Sequence, residues 1–149
     1  MMERGKLGLT VIALALTLVL SGCADTSVRG LRIEMIEGPG EVLVDDQGMV
    51  LYIFEPDEAG DVATCSGTCA RHWPPVAAAE ARDLDLGSTV NPDLIGTGTS
   101  SDGAVLTYNH WPLYRYDADT QGVARGHNID LHGGKWFAVT AAGVRAHTD

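Results

Sequence analysis

The segment Leu51–Asp57, LYIFEPD, returns as LYRYDAD at Leu113–Asp119. Leu51 matches Leu113, Tyr52 matches Tyr114, Phe54 matches Tyr116, Asp57 matches Asp119 and Gly60 matches Gly122, each 62 residues on; Trp73 then matches Trp136 at 63. So steady an offset through aromatic, acidic and glycine positions means that one supersecondary unit is used twice. The fold must therefore be an assembly of two like units, whether in one sheet or as two lobes. Alternate residues of a strand share a face. Tyr52 and Phe54 then point one way, opposite Leu51 and Ile53, and Tyr114 and Tyr116 share a face opposite Leu113 and Arg115. Asp-x-x-Gly at 57–60 and 119–122 suits a β-turn held by its own carboxylate. No nucleophile or base travels with the repeat. The motif residues Tyr52, Phe54, Asp57, Trp73, Tyr114, Tyr116, Asp119 and Trp136 thus read as architecture rather than catalysis.

The rest of the chain speaks mainly of strands. LRIEMIE (31–37), EVLVD (41–45) and MVLYIF (49–54) are short, rich in β-branched and aromatic residues, and separated by Gly-Pro-Gly and Asp-Asp-Gln-Gly. CSGTCARHWPPV (65–76) reads as a compact loop or single helical turn ended by Pro74 and Pro75. AAAEARDLDL (77–86) suits a turn or two of helix. Residues 87–103 are rich in Gly, Ser and Thr and read as loop. Strand signals resume at AVLTY (104–108), PLYRY (112–116), KWFAVT (135–140) and GVRAH (143–147), with an ordered polar loop expected from 117 to 134. The expected fold is mostly β: a small two-repeat domain with minor helical turns over residues 39–147, its copies at roughly 42–76 and 104–140.

The N-terminus carries a different message. Arg4 and Lys6 precede the apolar run Leu7–Leu20, which is short for a bilayer-spanning helix and the right length for a signal-peptide core. LSGC at 20–23 resembles a bacterial lipobox, in which the cysteine is lipidated and becomes the first residue. The expectation is a lipoprotein signal peptide over 1–22 and a lipidated Cys23 followed by a tether to 38. Diacyl anchoring holds a protein firmly on a membrane. Removing residues 1–22 takes out Glu3, Arg4 and Lys6, leaving 8 basic and 19 acidic residues and a net charge of −11. That balance disfavours nucleic acid and anionic lipid as partners. The implied partners are the membrane, through the anchor, and an envelope protein or ligand.

With Cys23 taken by lipid, Cys65 and Cys69 form an even pair in an oxidising compartment, where a disulfide is the default. No cofactor is then needed. The alternative is a copper or zinc site, or a redox pair, using Cys65, Cys69 and His72, with His127 and His132 of GHNIDLH as further ligands. The Cys spacing is neither that of thioredoxin-like enzymes nor that of haem attachment. No set of catalytic residues is arguable from spacing, so the chain reads as a non-enzymatic binding module, with metal or redox handling as the second reading.

Both LYIFEPD and LYRYDAD fit Y-x-[FWY]-x-x-D. CSGTCARHWPP fits C-x-G-x-C-A-x-x-W-P-P, and SDGAVLTYNHWPLY fits a D-G-x-x-x-T-Y-N-x-x-P-L-Y lead-in. These residues resemble the bacterial lipoproteins with a Yx(FWY)xxD motif, also called secreted repeats of unknown function, over roughly residues 40–144. The resemblance implies an exported, lipid-anchored protein without an established activity. One departure stands out: His110 follows Asn109 where the family pattern has glycine, so the favourable Asn-Gly hairpin turn is missing.

Overall fold

The computed structural model describes residues 28–78 and 83–147. The expected signal peptide and Cys23 lie outside the described residues. Among the described residues no helix is long and apolar enough to cross a membrane.

The domain is mostly β. Strand β1 (Gly30–Ile36) and β2 (Gly40–Asp45) form an antiparallel hairpin in the register Leu31↔Asp45 to Ile36↔Gly40, and β4 (Asp85–Leu86) adds in parallel to β1. Strand β3 (Tyr52–Phe54) runs into a 3-10 turn at Glu55–Asp57, and the single α-helical turn α1 (Thr68–His72) follows the first cysteine. Strands β5 (Ile95–Ser100), β6 (Gly103–Tyr108) and β7 (Trp111–Pro112) make a second antiparallel sheet. In the third sheet β9 (Gly134–Ala138) lies between β3 and β8 (Ile129–Leu131). Within the stretch expected as tether to residue 38, Gly30–Ile36 form β1, the strand that LRIEMIE implies, and Val28 and Leu31 are 2% and 1% exposed.

The two copies are interlocked rather than side by side. Leu51 N donates to Leu43 O, and at the matching place in the second copy Leu113 N donates to Leu106 O, both at 3.0 Å. The segment after each tryptophan then crosses over. Leu106 N of the second copy donates to Val76 O of the first at 2.8 Å, and Leu43 N of the first donates to Val139 O of the second at 2.7 Å. Strand β3 of the first copy pairs with β9 of the second, Tyr52↔Ala138 to Phe54↔Trp136. At the centre Tyr52 N donates to Tyr114 O and Tyr114 N to Tyr52 O, both at 2.9 Å, which marks an approximate two-fold axis. Each copy thus lends its final extended segment to the other, and neither hairpin is complete alone.

The strand alternation sorts the core as the sequence implies. Tyr52, Phe54, Trp73, Tyr114 and Trp136 gather in one buried cluster, and Leu43, Leu51, Ile53, Val76, Leu106, Leu113, Phe137 and Val139 in another. Burying such large aromatic side chains stabilises by roughly 1.5–3 kcal/mol apiece.

Candidate functional site

The motif residues converge at the two-fold axis. Tyr116, Trp73, Trp136 and Phe54 form one continuous ring stack, with successive centroids 4.0, 3.8 and 4.1 Å apart. The central pair is one tryptophan from each copy, and each outer ring comes from the copy opposite to the tryptophan it covers. Tyr52 and Tyr114 meet Trp73 and Trp136 edge-on at 5.4 and 5.1 Å. The edge contacts of the two tyrosines suit the aromatic quadrupole.

The two aspartates exchange partners in the same way. Tyr52 Oη donates to Asp119 Oδ2, and Tyr114 Oη donates to Asp57 Oδ2, both at 2.5 Å. The other oxygen of each carboxylate accepts from its own copy: Asp57 Oδ1 from Thr64 N at 2.8 Å and Thr64 Oγ1 at 2.6 Å, Asp119 Oδ1 from Arg125 N at 2.8 Å. The carboxylates therefore bind a loop six or seven residues downstream and a tyrosine of the other copy, rather than holding the tight turn expected at 57–60 and 119–122. Both are buried, and burial raises their pKa above the usual carboxylate value against the pull of their hydrogen bonds. Burial, and then the neighbouring carboxylate, raises both phenols as well.

A third tie between the copies escaped the sequence reading. Asp45 is fully buried and meets Arg115 through Nε at 2.8 Å and Nη2 at 2.7 Å, while its other oxygen accepts from Gln47 N and Met49 N at 2.9 Å. An arginine on the far face of the repeated strand, opposite the tyrosines, was the available signal, since such a residue near a core wants a carboxylate.

Cys65 and Cys69 form a disulfide, with their Cα atoms 5.3 Å apart. Of the histidines of the metal reading, His72 and His132 come together and His127 lies apart. His72 Nδ1 lies 2.7 Å from Asp117 Oδ2, and its ring stacks on His132 at 5.7 Å. His132 occupies a turn tip between β8 and β9. His127 lies elsewhere: its Nδ1 accepts from Ala138 N at 3.2 Å, so Nε2 carries the proton and donates to His147 O at 3.1 Å. Among the described residues no group of three or more His, Cys, Asp or Glu side chains is placed to hold a metal ion.

A cleft of about 550 Å³ opens on one face of the third sheet, lined by Asn128, Lys135, Phe137, Val144, Arg145, Ala146 and His147. It exists because Ala146 N donates to Ala138 O and Arg145 bridges Val139, which sets residues 143–147 against the end of β9.

A two-copy, exchanged β scaffold carrying a short disulfide loop and an open cleft defines a small repeat protein with its repeated aromatic and acidic residues turned inward. The chain belongs to a family described as a secreted repeat of unknown function, whose profile matches residues 36–77 and 96–140. These two stretches are the two copies seen in the fold. Membership points to an exported protein of unknown activity. Neither a curated protein nor a solved structure matches the chain.

Proposed function

We propose that the mature chain is a lipid-anchored protein of the bacterial envelope, held through Cys23, whose domain is a non-enzymatic binding module. One observation carries this reading. The motif residues Tyr52, Phe54, Asp57, Trp73, Tyr114, Tyr116, Asp119 and Trp136 are all engaged between the two copies, which supports reading these reactive-looking groups as scaffold. What the scaffold offers to a second molecule is the surface it holds rigid, including the cleft beside β9. The basic start, apolar core and LSGC of residues 1–23 support the anchor, and the Cys65–Cys69 bridge suits an oxidising compartment.

Two measurements test it. Expressed in a bacterial host with an alkyne-tagged palmitate, the wild type should take up label and sediment with membranes, and Cys23→Ala should lose both; equal labelling of the two sinks the anchor. Native mass spectrometry of the mature chain, before and after reduction and with added copper or zinc, tests the binding-module reading. The expected species is two hydrogens light and unchanged by either metal. Stoichiometric metal uptake by the reduced chain, lost in Cys65→Ser, would replace the binding module with metal or redox handling.

A further inference from the structure

We propose that the cleft between β9 and residues 143–147 binds a small monoanionic carboxylate with an apolar or aromatic body. This rests on the binding-module reading and names the ligand class and the residues that meet it.

The geometry follows from strand alternation. Lys135 and Phe137 share one face of β9. Arg145, paired with Val139, falls on that face too, and its guanidinium lies over the Phe137 ring at 5.4 Å from the centroid. Asn128 comes in from the β8 side, with Oδ1 3.5 Å from Lys135 Nζ. His127 pins the far wall through its bond to the His147 carbonyl. The cleft thus has a buried aromatic residue, an exposed Val144 and two cations, Lys135 and Arg145, among its lining.

The charge pattern is the informative part. The chain carries a net charge of −10 and Lys135 is its sole lysine after Lys6. Yet among the described residues no carboxylate lines the cleft. Most other cations are committed elsewhere at short range: Arg115 to Asp45 at 2.7 Å, Arg32 to Glu34 at 2.7 Å, and Arg125 to the Ala118 carbonyl at 2.7 Å. Lys135 and Arg145 each have one polar side-chain partner at 3.5 Å, Asn128 and Glu55, and so keep donors for a ligand. Among the described residues two acids border this face: Glu55, 3.5 Å from Arg145, and Asp130, the cross-strand partner of Lys135. They moderate the local charge, and the acidic remainder of the surface repels multiply charged anions. A single carboxylate fits that balance better than a phosphate dianion. The apolar body is accommodated by Phe137, Val144 and an adjoining recess of about 220 Å³ lined by Ile53, Trp111 and the same Phe137 and Val144, with Arg145 and its partner Glu55 at its polar side. Pockets with an apolar lining and a few convergent polar groups are the usual form of a small-molecule site.

The test uses residues 23–149 with Cys23→Ser, oxidised and ¹⁵N-labelled, titrated with benzoate, with benzyl alcohol as the neutral match, and with inorganic phosphate. Benzoate should shift the amide resonances of Lys135, Phe137, Arg145 and His147 saturably. Benzyl alcohol and phosphate should each bind at least tenfold more weakly. Lys135→Gln with Arg145→Gln should weaken benzoate at least tenfold while leaving the melting temperature near that of the parent. Equal binding of the alcohol, tighter binding of phosphate, or no saturable shift at these residues overturns the proposal. A saturable benzoate response confined to another surface overturns the site and leaves the binding-module reading standing. Metal uptake in the mass-spectrometric test sinks that reading independently of the titration.

Discussion

Tyr52 and Tyr114 show how little a residue's own neighbourhood says about its role. The alternation of LYIF and LYRY tells which face each ring takes, and the core confirms it. It does not tell which carboxylate each phenol meets, because a periodicity fixes direction and not partner. The exchanged pairing has a measurable consequence. Burial, then the adjacent aspartate, raises both phenols well above the usual value of about 10. A group whose pKa is raised on folding contributes stability that is fully present below its unfolded pKa. That stability is lost as pH climbs toward the folded value. Ultraviolet titration at 295 nm should therefore show Tyr52 and Tyr114 silent at pH 10.5, where phenols free in water are mostly ionised. Their signal should arrive only with unfolding, at a pH where circular dichroism also collapses. Ionisation of all four tyrosines near pH 10 with the fold intact contradicts this.

At the scale of elements, most strands were legible, and the exceptions have physical causes. Strand β5 was hidden in a Gly-, Ser- and Thr-rich stretch that reads as loop. It is a strand because a glycine there lets another backbone come close: Thr99 N donates to Asp61 O at 2.9 Å, and a Cβ on Gly98 would overlap that carbonyl. PLYRY was expected as a strand and pairs only in part. On one side it meets Pro74–Ala77, where prolines cannot donate to a ladder, so the contact is Val76 N to Leu113 O, the bridge Pro75↔Tyr114 and Arg115 N to Pro74 O; on the other it meets Tyr52 through the single bridge Tyr52↔Tyr114. Of the helical turn expected at 77–86, residues 79–82 lie outside the described set, and Asp85–Leu86 form β4 instead. The doubtful turn at 109–110 keeps its geometry without its glycine. Asn109 and His110 both have positive φ, 51° and 66°, as a two-residue type I′ hairpin between Tyr108 and Trp111 requires. His110 is compensated by Asp61, whose N donates to its carbonyl and whose Oδ2 lies 2.9 Å from its Nδ1. A left-handed conformation costs a non-glycine residue about 1–2 kcal/mol, and the exposed side-chain contact returns less. His110→Gly should accordingly raise Tm by about 2–5 °C in a thermal melt. A fall in Tm would mean that the Asp61 contact outweighs the backbone strain.

For the whole molecule, the repeat announced two units but not that they are exchanged. Side-by-side lobes and crossed segments share the same sequence pattern, since both bury the same faces. The crossing is seen only in the partners: Val76 with Leu106, Leu43 with Val139, Trp73 with Trp136, and each tyrosine with the other copy's aspartate. The candidate site was less legible. The cysteines, which form a disulfide, and the motif residues, which join the two copies, stand out in the sequence, whereas Lys135 and Arg145 acquire meaning only when residues 143–147 fold against β9. The central claim is that the copies are held together by exchanged contacts. A double-mutant cycle in urea tests it most directly, with Tyr52→Phe combined first with Asp119→Asn and then with Asp57→Asn. The account predicts a coupling energy of about 1–3 kcal/mol for Tyr52 with Asp119, across the copies, and less than about 0.5 kcal/mol for Tyr52 with Asp57, within one copy. Coupling within the copy and none across it would contradict the exchanged architecture.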